Sequence, residues 1–375
     1  MIVLAIETSC DDTGISIIKS KNSKKIDYNN FEILSNLTNS QIDVHREYGG
    51  VFPALAKREH QKALVPLLIK SLKKSGLLKE RKKEIDSKKI SKIKINLEKN
   101  ELLFEELREF IKKYDAPEIN KIAVTIGPGL EPCLYTGINF AKSLSFYWNI
   151  PIVGINHLEG HILSSFLSSN EKLKLPTIAL IISGGNTQLI YFEKIGKYKI
   201  IGETRDDAAG ECLDKTARIL GLPYPGGPEI YKKAKECKTN KYKIKLPRPM
   251  KHEKNYDFSF SGLKTAVLYH SKENKINDNY VKEMCYEIEA SIIDVLLYKT
   301  LKAVKEFNVK SLILGGGVSA NKKLIKEFKK NSPVDIFIPK PLFSGDNASM
   351  IGLVSIYSPN IKKLIKPKPN LKINE

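Results

Sequence analysis

Cysteine is scarce and unpaired in this sequence. Its five residues fall at positions 10, 133, 212, 237 and 285, an odd number with no Cys-x-x-Cys pair. That argues against a disulfide framework or a zinc ribbon and suits a reducing cytosol. No stretch of about 18 apolar residues occurs, so the sequence predicts no membrane-spanning helix. The opening "MIVLAIETSCDD" has no basic leader before its apolar run, which predicts neither a signal nor a transit peptide. Neither the phosphate-loop pattern G-x4-G-K-[ST] nor the dinucleotide fingerprint G-x-G-x-x-G is present, which argues against a P-loop NTPase or a dehydrogenase. The expected setting is the cytoplasm.

Acidic residues are also under-represented. Against 62 lysines and arginines stand 42 aspartates and glutamates, a formal charge of +20 on 375 residues. Such a surplus favours a polyanionic partner, RNA or DNA first. Lysine, asparagine and isoleucine are heavily used, however, as in an AT-rich genome, and that bias alone also raises the charge. At 42% hydrophobic the chain has a globular composition and the length for two domains with real cores.

Periodicity predicts an alternation of strands and helices. "IVLAI" (2–6) and "TGISIIK" (13–19) read as strands around a polar turn, and "FEILSNL" (31–37) as a third. Leu55, Ala56, His60, Ala63, Leu64, Leu67 and Leu68 follow helical spacing over 52–75, with Pro66 as a potential kink. Residues 73–99 form a charge run with 11 Lys/Arg against 4 Asp/Glu. It reads as a solvated insertion or extended surface helix, or else as an RNA-contacting arm. Further strands are expected at 121–126, 150–155, 177–182, 187–193, 197–204, 311–317 and 335–338. Helices are expected at 136–148, from His157, at 208–220, 226–237 and 278–307, from Ser319 and from Asp346. The lysine- and proline-rich tail after Pro359 reads as loosely held.

"VLAIETSCDDTGISII" and "ALIISGGNTQLIYF" share one grammar of strand, tight polar turn and strand. Two copies of this layout, each followed by helices, predict a duplicated α/β chain with a ligand cleft between its halves. The expected division is an N-terminal lobe over 1–150, carrying the charged insertion at about 77–102, and a C-terminal lobe over 151–345. The last helical region, 346–375, would pack back on the first lobe.

The stretch "NHLEGHIL" sets His157 and His161 one helical turn apart, so both imidazoles can reach one ion. Glu159, at the third position, falls about 200° around the helix from His157. It is therefore badly placed as the base of a metallopeptidase, whose motifs put glutamate second or fourth. A third ligand is available in Asp346 of "FSGDNASMIG", which could equally serve as a helix N-cap. Two histidines and one carboxylate leave positions open for substrate, and iron(II) and zinc both fit.

Three glycine turns follow strands or open helices: Ser183, Gly184 and Gly185; Gly226 and Gly227; and "LGGGVSAN", where Ser319 or Asn321 could cap a helix or hold a nucleotide edge. Each could be an ordinary turn, but together in a duplicated α/β chain they favour nucleotide binding. Asp11 with Asp12, and Asp206, Asp207, Glu211 and Asp214, form two acidic clusters. They read either as charged element starts or as ribose and metal recognition.

Nine stretches in order, "IETSCDDTG", "HREYGGVFPALAKREH", "GPGL", "NHLEGH", "SGGNTQL", "DDAAGECLDKTARILGLPYPGGP", "FSFSGLKTAV", "GGGVSAN" and "GDNASMIG", resemble the tRNA threonylcarbamoyladenosine synthase catalytic-subunit family, once called glycoproteases. The resemblance implies an α/β fold of two ribonuclease-H-like lobes of the actin/Hsp70-like superfamily, with the ligand in the cleft. It implies one divalent metal ion, Fe(2+) before Zn(2+), on His157, His161 and Asp346. It implies that Ile181, Ile182, Ser183, Gly184, Gly185, Asp214, Gly227 and Asn321 contact the adenylate of threonylcarbamoyl-AMP, and that Asp11 is the catalytic carboxylate. The implied reaction moves the threonylcarbamoyl group to N6 of adenosine 37 in tRNAs reading ANN codons, releasing AMP. Implied partners are tRNA, an inactive paralogue subunit, a small P-loop ATPase subunit, or a second copy in a homodimer. The sequence departs from the family at the long charge run, at Pro132 where many bacterial members have glycine, and at Asn186 where many have histidine. An actin-like ATPase acting as a conformational scaffold is the alternative.

Overall fold

The computed structural model describes residues 1–21, 31–82, 84–167, 172–238, 240–357 and 365–375. Its strands are β1 (Ile2–Glu7), β2 (Asp12–Ser20), β3 (Phe31–Ser40), β4 (Lys121–Gly127), β5 (Ile152–Asn156), β6 (Thr177–Ile182), β7 (Thr187–Lys194), β8 (Lys197–Glu203), β9 (Ser311–Gly315) and β10 (Asp335–Phe337). Its helices are α1 (Ile42–Arg46), α2 (Pro53–Lys74), α3 (Ser87–Asn96), α4 (Glu101–Lys113), α5 (Glu131–Trp148), α6 (His157–Ser164), α7 (Ala209–Ile219), α8 (Gly226–Lys235), α9 (Ser261–Glu273), α10 (Asp278–Glu306), α11 (Lys322–Asn331), α12 (Pro341–Ser344) and α13 (Ala348–Tyr357).

The repeat visible in the sequence is a duplication of topology. One sheet has the order β3-β2-β1-β4-β5, the other β8-β7-β6-β9-β10. In each, the first three strands form an antiparallel meander, and the fourth and fifth add in parallel to the first. The parallel strands are continuous buried runs such as "IAVTI" and "TIALII", as strands covered on both faces must be. The fold is thus α/β with two ribonuclease-H-like sheets, as the resemblance implies.

Each sheet has its own apolar core on its outer side. The first joins Leu4, Ile6, Ile15 and Ile17 with α2, α4 and α5; the second joins Ile178, Leu180 and Ile182 with α7 and α10. A third cluster lies between the sheets. There Val3, Ala5 and Ile18 of one and Ala179, Ile181 and Ile190 of the other pack on Leu158 and Ile162 of α6 and on Met350, Ile351 and Val354 of α13. The two helices that carry or adjoin the expected metal ligands therefore form the layer shared by both sheets.

The charged insertion is not simply solvated. Asp86 caps α3 by accepting from Lys89 N at 3.0 Å, and Ile93 and Leu97 are buried in the first core. Arg81 ties the approach down, donating through Nε to the carbonyl of Ile111 at 2.5 Å and through a terminal nitrogen to Tyr114 O at 3.1 Å. Lysines cover the outer side of the helix, which is why the run reads as surface. The tail also departs from expectation. Residues 358–364 lie outside the described residues, but Ile365, Leu371 and Ile373 are buried. Lys368 N donates to Ile126 O at 2.7 Å, and Gly129 N to Pro369 O at 3.0 Å.

Smaller shifts have local causes. The helix expected from Ser319 begins at Lys322 because Asn321 is its cap, accepting from Lys323 N and Leu324 N at 2.8 and 2.9 Å. The helix expected at 136–148 starts at Glu131, with Pro132 in its first turn, where a missing N–H costs nothing. The last helix begins at Ala348, and α2 runs through Pro66. Helices α4 and α9, and the short α1 and α12, answer to no sequence expectation.

Candidate functional site

The site forms where parallel strands end, the usual ligand edge of an α/β sheet. β5 ends in Asn156, whose side chain accepts from Leu158 N at 2.9 Å and so starts α6 at once. His157 and His161 then share one face of α6, with ring centroids 4.6 Å apart. Asp346 arrives from the turn between α12 and α13. Its Oδ1 lies 3.2 Å from Nε2 of His161 and 3.5 Å from Nε2 of His157. One donor atom from each of the three lies within 4.8 Å of the others.

Close packing brings Asp346 there. A Cβ on Gly160 would stand 3.0 Å from Cγ of Met350, and one on Gly14 would stand 2.9 Å from the backbone nitrogen of Ala348. Glycine at both positions lets α13 start against β2 and lie on α6. Helix capping, the competing role for Asp346, falls to its neighbour: Asn347 Oδ1 accepts from Met350 N at 3.1 Å. The aspartate is thereby left free for the histidines.

The donor set fits a divalent cation. His161 is wholly buried, and among the described residues neither ring nitrogen has a hydrogen-bond partner; Nε2 faces Asp346 without the alignment such a bond needs. An orphaned ring at this depth is costly, and a cation on Nε2 would satisfy one nitrogen. His157 is oriented from behind by Glu7, a residue that no sequence motif singles out. Glu7 Oε2 lies 3.0 Å from Nδ1 of His157 and accepts from Thr125 Oγ1 at 2.7 Å, while Oε1 accepts from Ser9 N at 2.5 Å. A carboxylate on Nδ1 fixes the tautomer that leaves Nε2 for a metal. Burial opposes the imidazolium of His157, but Asp346 and Glu7 outweigh it and hold its pKa at about 9. Burial likewise opposes the charge on Asp346, and the two histidines reverse that and hold its carboxyl low, at about 2.

Glu159 points elsewhere, accepting from Tyr198 OH at 2.9 Å in the protein interior. That removes the base a metallopeptidase would need and agrees with its place around the helix.

Asp11 sits in the β1–β2 turn. Burial first, then the nearby Asp346 charge, raises its pKa from the ordinary carboxylate value. The same two causes, in that order, lift Asp12 to about 7. Tyr224 OH donates to Asp11 Oδ2 at 3.4 Å, bringing the 222–227 turn of the second half against the first.

The residues expected to contact an adenylate divide. Ile181 and Ile182 are buried at the end of β6, while Gly184 and Gly185 are exposed in a turn closed by Ser183 N donating to Asn186 O at 2.8 Å. Helix α7 starts beside that turn, Ala209 N donating to Thr187 Oγ1 at 2.9 Å. Asp214 Oδ1 accepts from Gly226 N at 2.7 Å, so Asp214 and the Gly226–Gly227 turn are one unit. Asn321 is held on two sides, capping α11 and donating to Glu289 Oε1 at 2.7 Å. The acidic cluster around Asp214 does not act together. Asp207 and Glu211 pair with Lys215, and Asp206 accepts from Phe260 N and Ser261 N at the start of α9. Only Asp214 of the four turns to the glycine turn.

A duplicated α/β chain with a His-His-Asp group able to hold a metal ion between its two sheets, and glycine turns at the strand ends, defines a two-sheet α/β class with a candidate metal site. The chain belongs to the tRNA N6-adenosine threonylcarbamoyltransferase family, whose sequence model matches residues 32–86 and 100–353. It is 39% identical to the enzyme of that name from Geotalea daltonii over 362 residues, covering 95% of this chain and 92% of the relative. It is 39% identical to that of Bacillus subtilis, covering 94% and 88%. It is also 39% identical to that of Thermosipho africanus along the full length of both. The gap in the match, 87–99, is α3 and the turn after it. Among solved structures it resembles the (R)-2-hydroxyglutaryl-CoA dehydratase component A of Acidaminococcus fermentans, at 13% identity and a TM-score of 0.47, over 94% of this chain and 95% of that one.

Proposed function

We propose that this chain transfers the threonylcarbamoyl group from threonylcarbamoyl-AMP to N6 of adenosine 37 in tRNA, releasing AMP. The observation that carries the reading is the convergence of His157, His161 and Asp346, beside Asp11, in a chain of this family.

The donor is a mixed anhydride whose carbonyl is already activated, and the acceptor amine is a weak nucleophile. Positioning and charge stabilisation are therefore the main tasks. A divalent ion on His157, His161 and Asp346, iron(II) before zinc, would supply Lewis-acid charge to the donor's oxygen atoms. The turn at Ser183–Gly185 offers backbone N–H groups to phosphate, and Ile181, Ile182, Gly227, Asp214 and Asn321 shape the nucleotide's surroundings. The amine nitrogen forms the new bond to the carbonyl carbon as the carbon–oxygen bond to phosphate breaks, and AMP leaves with that electron pair. Asp11, its carboxylate made more basic by burial and by the Asp346 charge, takes the proton the amine loses. Tyr224 holds Asp11 in place.

The target base lies in a single-stranded loop, so no duplex need be opened, and the +20 charge suits the stem phosphates. The partners we propose are tRNA, an inactive paralogue and a small P-loop ATPase, in the cytoplasm; among the described residues no helix is long and apolar enough to cross a membrane. Incubation with threonylcarbamoyl-AMP and tRNA, followed by mass spectrometry of the nucleosides, tests the reading. Threonylcarbamoylated adenosine is expected. Steady ATP hydrolysis without donor or tRNA, and no modified base, would favour the actin-like ATPase instead.

A further inference from the structure

Two aromatic side chains stand out on the surface near Asp11. Tyr48 is 61% exposed and Phe52 54%, although burying such rings is among the larger gains available to a fold. Their rings are stacked, centroids 6.1 Å apart and planes 22° apart. They sit on the loop from α1 into α2, which is fixed at both ends. Tyr48 N donates to His45 O at 3.1 Å where the loop begins, and Phe52 N donates to the buried His45 Nδ1 at 3.4 Å where it ends; ahead of α1, Gln41 N donates to Asp11 O at 3.0 Å. Across the lobes, Arg46 Nε donates to Tyr224 O at 3.2 Å, and the Arg218 guanidinium lies against the Gly49 carbonyl. Tyr224 is the residue whose hydroxyl meets Asp11.

The rings are therefore neither a loose tip nor a fragment of core. They are a pre-set pair on a loop tied through Arg46 to Tyr224, the residue that meets Asp11, with the exposed residues Arg46, which also pairs with Asp43 at 3.2 Å, and Arg218 beside it. Exposed aromatic faces beside arginine, on a chain of +20 charge, are what an unstacked nucleobase recognises. A base drawn out of its stack to meet Asp11 leaves its neighbour without a stacking partner, and an aromatic face beside the site replaces it.

Building on the proposed function, we infer that Tyr48 and Phe52 form a stacking platform for an anticodon-loop base next to the target adenosine, with Arg46 and Arg218 on its phosphates. The platform binds single-stranded RNA and not a protein subunit.

The test uses an anticodon stem-loop RNA with 2-aminopurine beside the target adenosine, titrated with the full-length chain and with Tyr48→Ala, Phe52→Ala, the double variant and Tyr48→Phe. Stacking quenches the probe. The parent chain and Tyr48→Phe should bind and quench. Each alanine should weaken binding by about tenfold or more, and the double variant should abolish the quench. Both side chains are exposed, so metal content should not change, and that serves as the check on folding. If the double variant binds and quenches like the parent, the platform is overturned while the transfer reading stands. If it keeps its RNA affinity and loses only association with a protein subunit, the platform is a protein contact and the inference is wrong. If the parent binds no stem-loop, the RNA reading of the function falls with it.

Discussion

Glu7 Oε2 lies 3.0 Å from Nδ1 of His157, a residue 150 positions further along the chain. This contact decides which nitrogen of His157 faces Asp346. Outer-shell carboxylates of this kind are typically worth about 10- to 100-fold in metal affinity. Glu7→Gln keeps the shape and loses the charge, so its affinity for Fe(2+) or Zn(2+) should fall by an amount in that range, as read by a competing chelator. An unchanged affinity would mean that His157 needs no orienting partner.

The approach of β2 to α13 can be tested at Gly14. In Gly14→Ala the new methyl would meet the Ala348 backbone nitrogen at 2.9 Å, forcing the start of α13, and Asp346 with it, to shift. Overpacking of this sort costs about 1–3 kcal/mol. Urea unfolding should show that loss, and metal titration should show weaker binding. Full stability with weakened metal binding would still place Asp346 under the control of this contact; no change in either would refute it.

The insertion helix should matter for stability and not for the metal. Ile93 is buried against the first core, so Ile93→Ala should cost about 2–4 kcal/mol by urea unfolding. Deleting 87–99 should destabilise the chain further and leave metal stoichiometry in the surviving folded protein unchanged. A deletion as stable as the parent would restore the view of this segment as a solvated arm.

Asp214 gives a pH signature. Burial raises its pKa from the usual 3.8 to about 6, against the opposing hydrogen bonds from the Gly226 and Gly227 backbone. Between those values the native state holds a proton that the unfolded chain has lost, so stability falls as pH rises through this window. Asp214→Asn lacks the titration, and its Oδ1 can still accept from Gly226 N. The stability of Asp214→Asn relative to the parent should therefore climb from about pH 4 to pH 6 and stay level above. A flat difference, measured by thermal or urea unfolding across that range, would contradict the raised pKa.

Much of this architecture is legible in the sequence because its signals are local. The meander strands show as short apolar runs broken by polar turns, and the four-residue spacing of His157 and His161 is enough to place both rings on one helix face. The strand grammar of residues 3–18 and 179–192 reappears as two sheets of identical topology. What escapes the sequence depends on contacts distant along the chain. Glu7 looks like the end of a strand until His157 and Thr125 surround it. The tail has no periodicity to read, because backbone hydrogen bonds to Ile126 and from Gly129, with isolated apolar anchors, hold it. Helix α4 does carry a readable stripe, with Leu103, Phe104, Leu107, Phe110 and Ile111 buried at helical spacing. The neighbouring lysines mask it, and they mask Ile93 too, whose burial needs α4 and α5 to be in place.

The most direct test measures metal and product on one preparation of His161→Ala. Metal analysis should fall from one ion per chain to nearly none, and tRNA incubated with threonylcarbamoyl-AMP should carry no threonylcarbamoylated adenosine, while the parent chain forms it. Full metal occupancy in the variant, or undiminished modification by metal-free parent, would contradict the account.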